Sequence, residues 1–496
     1  MSVTMEGAGQ KNGIILVILA SLAMIVMFVE IMLVPALPTL ARDFPNDVQW
    51  ISWVLSIYLL IGAVSTPVVG RLGDIYGKRR VLIAVMSMYL VALVGCGLSL
   101  DISNALFGHS SIFVLLFFRA IQGVGMGMFT LAFGIVRDTF PRERIPVAIG
   151  MISAMFSVGV SIGLIGGGYI TSVAKWTDAF FIVSPFFLGL AIASYYCIRD
   201  PCITRGGGLD LPGAITLGIG VLAFLLALTQ GESWGWLSAG VVSLFVVAVV
   251  STVIFTLIEA RSRDPIIRPS LLKNHGILGG NLVAVFVGLC MFLVFQTLPY
   301  FLETPIAAGG KFGLTDTLTV GLFMFPSAIA QLFCGPLGGS MSKKIGASKV
   351  LIAGMTVMAF GFVALLGLHS DFWQLALSQM ILGAGMALCM VSVINVVMES
   401  CPQGEFGVAS GMNTLFRIVG GSIGPVLATV ILAANTIIIQ VAPGIEVAFY
   451  TEHGYMLTWW LGLGFAVIGT VVAIVLRPGA SDRCVIPAVD IPSSGR

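Results

Sequence analysis

Residues 147–163 read VAIGMISAMFSVGVSIG, and residues 408–424 read VASGMNTLFRIVGGSIG. Val, Ala, Gly, Met, Gly, Ser, Ile and Gly coincide at an offset of 261. Outward from this pair, Arg119-Ala-Ile-Gln-Gly-Val-Gly-Met matches Gln379-Met-Ile-Leu-Gly-Ala-Gly-Met at an offset of 260. Pro67, Gly70, Gly77 and Val81-Leu-Ile-Ala84 match Pro336, Gly339, Gly346 and Val350-Leu-Ile-Ala353 at an offset of 269. Apolar sequence of low complexity aligns easily, so one match carries little. Three in the same order at nearly one offset indicate that the chain repeats itself.

The solvent for this repeat is lipid. Of 496 residues, 58% are hydrophobic and 10% charged, against about 25% charged in a soluble domain. A soluble fold of that composition would expose large apolar patches. A helix crossing ~30 Å of hydrocarbon needs about 20 apolar residues. Runs of that kind fall at roughly 14–35, 51–70, 81–100, 112–136, 146–170, 179–198, 211–229, 237–258, 278–301, 317–338, 350–368, 374–398, 407–434 and 454–476. They are continuous rather than alternating, so a β-barrel does not fit. The first run lacks a small-residue cleavage site and reads as a retained span. The 60 glycines suit close helix–helix approach in lipid.

An even number of spans puts both termini on one side. The loops and termini of that side carry twenty Lys and Arg; the opposite loops carry three, Arg42, Lys175 and Lys311. The positive-inside rule then makes the basic side, with both termini, cytoplasmic. The matches place spans 2, 4 and 5 on spans 10, 12 and 13. Spans 1–6 therefore repeat as 9–14, and spans 7 and 8 are inserted. The expected organisation is a cytoplasmic N-terminus (1–13), an N-terminal six-helix bundle (14–198), a linker with two inserted membrane helices (199–276), a C-terminal six-helix bundle (277–476) and a cytoplasmic tail (477–496). This is an all-α membrane protein of fourteen spans. Parallel halves are a transporter plan, with substrate bound near the midplane between them.

Net charge is +2, which gives no case for nucleic acid. The eight cysteines are scattered without CxxC or His pairing and read as apolar fillers, so no metal or cofactor is expected. No HExxH, GxSxG or P-loop is present, and an enzyme is disfavoured. The Gly-rich runs read as packing or hinge elements.

The loop after span 2 reads Gly70-Arg-Leu-Gly-Asp74-Ile-Tyr-Gly77-Lys-Arg-Arg80. Span 4 carries Arg119-x-x-Gln122-Gly123-x-Gly125, and span 5 carries Gly159-x-x-x-Gly163-Leu164-x-x-Gly167-Gly168. These resemble, in order, the cytoplasmic signature, the fourth-helix motif and the antiporter motif of the major facilitator superfamily. Leu164 stands where that family has Pro; the second half has Gly420-x-x-x-Gly424-Pro425. With fourteen spans, residues 14–476 resemble the fourteen-helix drug/proton antiporter branch. The resemblance implies the major facilitator fold. It also implies a cytoplasmic charge latch between the halves made by Gly70, Asp74, Gly77 and Arg79, with Asp138 at the end of span 4. Lys343 holds the repeat position of Asp74, so the latch is one-sided.

Ionisable groups inside spans are costly and mark function by default. Glu30, Arg119 and Arg417 are the clear cases. Glu30 lies ~8 Å and Arg119 ~10 Å from the outer ends of spans 1 and 4. One reading makes Glu30 the proton carrier and Arg119 its tuner, with a cationic substrate competing for the carboxylate. The other is a static ion pair joining helices 1 and 4. The branch places an acid nine residues before the Pro of Ala36-Leu37-Pro38; here Val29 holds that position and Glu30 is eight before it. Arg417 is either a structural partner or a cavity residue. Trp53, Tyr58, Met155, Phe156 and Gln296 are the other cavity candidates, the alternative for the aromatics and Met being plain packing.

The expectation is a monomeric, proton-coupled plasma-membrane transporter that exports amphipathic or cationic small molecules. Two other readings fit the same residues: a metabolite facilitator or importer without proton coupling, and a non-transporting sensor of the same fold.

Overall fold

The computed structural model describes residues 2–47, 50–51, 53–199, 208, 210–262, 265, 271, 274–315, 317–402, 405–442 and 445–477. Among the described residues, fourteen helices are long and apolar enough to cross a membrane. The first half contributes α1 (Asn12–Ile31), α2 (Trp53–Tyr76), α3 (Lys78–Gly97), α4 (Ile112–Thr139), α5 (Ile145–Val173) and α6 (Trp176–Cys197). Next come α7 (Leu211–Gly231) and α8 (Ala239–Arg261). The second half contributes α9 (His275–Glu303), α10 (Thr319–Ile345), α11 (Ala347–Gly367), α12 (Phe372–Ser400), α13 (Phe406–Ala433) and α14 (Glu452–Val475). In lipid a backbone must satisfy its own polar groups, and a helix does so within one segment.

The repeat read from the sequence is a repeat of contacts. In the first half α5 packs on α1: a methyl on Gly159 or Gly163 would run into Met24 or Phe28 backbone. In the second half α13 packs on α9, where Gly420 and Gly424 meet the backbone of Val285 and Leu289. Both partner pairs stand 261 residues apart, like the glycines. Gly167 meets Met32 in the same row, whereas Gly168 only touches Pro35 at 3.9 Å. Pro425 lies within α13. The turns repeat too. Gly77 (φ 96°) and Gly346 (φ 93°) end α2 and α10 and start the next helix in a backbone region that disfavours side chains.

The halves meet through two equivalent contacts. On one side of the axis, Gly70 of α2 abuts Gly407 of α13, and Gly411 sits on Thr66 and Pro67. On the other, Gly339 of α10 abuts Pro146 of α5, and Gly150 sits on Gly335 and Pro336. α7 and α8 pack on each other, with α7 also against α2 and α13. Only 17% of α8 is buried, so it stands at the lipid-facing margin.

Three features depart from the sequence reading. The helix containing α1 begins already at Ser2, inside the stretch read as a polar N-terminus. The regular part of α1 ends at Ile31, not at 35. Pro35 lacks the N–H that would reach the Ile31 carbonyl, and Val34 N takes that carbonyl instead at 2.9 Å. A short helix, Leu37–Asp43, follows. Finally, the connection between α13 and α14 is not a plain loop. It forms an antiparallel hairpin of β1 (Thr436–Ala442) and β2 (Ile445–Tyr450). Of the tail, only Arg477 lies within the described residues.

Candidate functional site: a cavity between the halves

A narrow cavity lies between the halves. α1 supplies Met27, Glu30 and Ile31, and α5 supplies Ser153, Phe156, Ser157 and Val160. From the second half come Met291, Phe292 and Phe295 of α9, with Arg417 and Ile418 of α13. Met126, Gln331 and Met390 complete the lining. Four pairs of these residues are repeat equivalents at the offset of 261: Glu30 with Met291, Ile31 with Phe292, Phe156 with Arg417, and Ser157 with Ile418. Each half thus places one charge where the other half places an apolar side chain. Ser157 also donates to Gln331 Oε1, a hydrogen bond from one half to the other.

Glu30 is 8% exposed, and its Oε2 is buried with no hydrogen-bond partner. Arg417 donates from Nη1 to Met390 Sδ at 2.9 Å, and its guanidinium lies 5.5 Å from the Phe156 ring centre. Phe156 in turn stacks on Phe129, with ring centres 4.2 Å apart.

Arg119 is close to Glu30 yet makes no bond to its carboxylate. It is fully buried. Its Nε donates to Val54 O at 3.0 Å, Nη1 to Gln122 Oε1 at 3.0 Å and Val29 O at 3.3 Å, and Nη2 to Glu30 O at 3.4 Å. Its guanidinium stacks over the Tyr58 ring at 4.8 Å. A helix end leaves its last carbonyls short of donors, and Arg119 supplies them at the end of α1. The ion pair weighed from the sequence is therefore replaced by a guanidinium bonded to backbone, while the Glu30 carboxylate faces the cavity.

Of the expected cavity residues, Phe156 and Arg417 line it. Tyr58 does not, because it is fully buried beneath Arg119. Trp53 packs against Trp50 with centres 5.9 Å apart. Met155 and Gln296 each neighbour a lining residue, Phe156 and Phe295, but one residue turns a helix by ~100°. Met155 accordingly packs into the first half's core. The extra lining from α9 and Gln331 carried no charge or motif to signal it.

At the basic face, Asp74 and Asp138 are brought together, but by Lys78 rather than Arg79. Lys78 Nζ lies 3.3 Å from Asp74 Oδ1 and 2.7 Å from Asp138 Oδ2. Arg79, one residue on, turns outward, donates to Tyr195 O at 2.6 Å and stacks over that ring. Asp74 Oδ2 accepts from Val408 N of the second half at 3.2 Å. Lys343, its repeat counterpart, is exposed. Arg137 at the end of α4 bridges the halves as well. It donates to Cys401 O at 2.9 Å and stacks on Phe406. Cys401 is buried here, and burial pushes its thiol up to about 12.

Two duplicated helix bundles around a shared cavity define a polytopic membrane transporter. A family model described as Major Facilitator Superfamily matches residues 19–335 and 282–488, and the chain belongs to that superfamily. It is 27% identical to the multidrug transporter protein MdtP of Bacillus subtilis, over 81% of this chain and 72% of that protein. It is 30% identical to the uncharacterized MFS-type transporter Rv1877 of Mycobacterium tuberculosis over 80% of this chain; that protein is longer, and the chain spans 56% of it. The crystal structure of the human organic anion transporter MFSD10 (TETRAN) superposes with a TM-score of 0.63 at 16% identity. That match covers 93% of this chain and 99% of the human one, and it shows the shared fold. The protein is a transporter and not an enzyme.

Proposed function

We propose that this transporter exports amphipathic or cationic small molecules in exchange for protons, by alternating access of the cavity to the two sides of the plasma membrane. The bundles 14–198 and 277–476 would rock about the cavity, with the basic face and both termini cytoplasmic. The observation that carries the reading is Glu30. Its carboxylate faces a cavity otherwise lined largely by Met, Phe and Ile, and Oε2 is unpartnered. A carboxylate kept from water and unpaired is costly, so a proton and a cationic substrate compete to neutralise it. Methionine and aromatic walls adapt to ligands of varied shape. The multidrug name of the Bacillus relative agrees with a permissive cavity. The contacts near the basic face, where Gly70 meets Gly407 and Gly339 meets Pro146, support a state closed toward the cytoplasm.

The test is transport of a lipophilic cation into proteoliposomes under an imposed pH gradient. Glu30→Gln should abolish gradient-driven uptake while the protein still inserts and melts normally. Gradient-driven uptake by that variant would refute the reading. Wild-type flux indifferent to the gradient would favour a facilitator.

A further inference from the structure

Arg417 is charged at any physiological pH, and it stands in a cavity wall built from Met and Phe. The two arginines near this cavity are partnered very differently. Arg119 makes four hydrogen bonds, three of them to backbone carbonyls. Arg417 makes one hydrogen bond, to a thioether sulfur, plus a stacking contact on Phe156. Thioether sulfur is a weak acceptor, so most of the N–H fork of Arg417 faces the cavity without an oxygen to receive it among the described residues. A guanidinium so placed matches a carboxylate or another planar oxyanion, which accepts two parallel N–H bonds.

The anion nearest to hand is Glu30, whose charge interacts with that of Arg417. The two side chains nevertheless do not close on each other: no ion pair joins them among the described residues, and Arg417 lies back on Phe156 and Met390. The cavity therefore has two poles. One is a carboxylate from α1 of the first half, and the other is a guanidinium from α13 of the second. They are set at positions which the repeat fills with Met291 and Phe156 in the opposite halves.

We infer that the cavity is built for zwitterionic amphiphiles, in which an aromatic or aliphatic frame separates a cation that meets Glu30 from a carboxylate or similar anion that meets Arg417. This rests on the cavity reading above and narrows it. A simple lipophilic cation satisfies one pole and leaves the guanidinium unpaired. A zwitterion satisfies both, and because the poles belong to different halves it also ties those halves together. The frame then contacts Met27, Met291, Phe292 and Phe295.

Rhodamine B and its ethyl ester share one cationic frame and differ in whether a free carboxylate is present. Their binding to the full-length protein in nanodiscs at pH 7 can be read by fluorescence polarisation. The acid should bind about tenfold more tightly than the ester, the worth of one charge-assisted hydrogen-bonded pair. Arg417→Gln should remove that preference by weakening the acid while leaving the ester as tight or tighter. Arg417→Lys should retain part of it. Equal binding of acid and ester to the wild-type protein would overturn the inference without any variant. So would an Arg417→Gln protein that melts normally and weakens both dyes alike. Glu30→Gln serves as the separate arm, since both dyes carry the cation. If it leaves both affinities unchanged, Glu30 is not the cation site and that reading falls, while a carboxylate preference lost with Arg417 would stand.

Discussion

Asp74 of α2 accepts a hydrogen bond from the backbone N–H of Val408 at 3.2 Å, so a carboxylate of the first half closes the start of α13 in the second. A helix start has free N–H groups and a positive dipole end, and both favour an anion there. The bond therefore does more than hold two helices together. It ties the basic face of one half to a helix start in the other through a side chain itself held by Lys78.

Removing that side chain should loosen this face. Asp74→Ala deletes a cap worth about 1 kcal/mol, and the closed state should become less populated. Cys401 reports on this. It is fully buried beside the contact, and its thiol is held protonated. In a background without the other cysteines, maleimide labelling of Cys401 should accelerate severalfold in the variant. An unchanged rate would show that Asp74 does not control closure.

Lys78 and Arg79 should behave as opposites despite being neighbours. Lys78→Met leaves Asp74 and Asp138 without their shared cation and should cut transport strongly. Arg79→Met loses a hydrogen bond to the Tyr195 carbonyl and a contact with its ring at the exposed edge of the first half and should leave transport within about twofold, since that contact does not join the halves. Measured flux in proteoliposomes decides between them.

Valine at Gly407 or at Gly339 should jam the transporter. A side chain at either position would strike backbone of the facing helix, at Gly70 or at Pro146. The two contacts are equivalent under the repeat, with Gly407 standing where the other contact has Pro146 and Gly339 where it has Gly70, so both substitutions should abolish flux while leaving the amount of inserted protein unchanged. If only one does so, the halves do not close symmetrically.

Arg119 and Glu30 should separate stability from transport. Arg119→Gln deprives the carbonyls of Val29, Glu30 and Val54 of donors and should destabilise by roughly 2–4 kcal/mol, visible as a lower melting temperature. Glu30→Gln loses no hydrogen bond at Oε2 and should melt close to the wild type while altering transport. The reverse pattern would mean that Glu30 is the structural group.

The chain's apolar runs, its charge bias and its internal matches were enough to establish fourteen spans, two related halves and an inserted pair. The reason is that each of these is local or periodic. A span must be about 20 apolar residues long whatever it packs against, and a repeat of contacts leaves a repeat of glycines. That is why Gly159 and Gly420 pair in the sequence alone. Glu30, Arg119 and Arg417 were also legible, because charge inside lipid is conspicuous.

The partners of those charges were not legible. Whether Arg119 meets a carboxylate or a carbonyl depends on where α1 breaks, which Pro35 sets together with the packing of α4. Whether Lys78 or Arg79 faces Asp74 turns on a ~100° step around one helix. Gln331 and the Phe residues of α9 belong to the cavity only because two halves distant in sequence face each other there. Sequence by itself determined the number, length and duplication of the helices, through the demands of lipid on a backbone. Only the tertiary structure decided which side chains share the cavity, because that depends on the rotation of each helix against the opposite half.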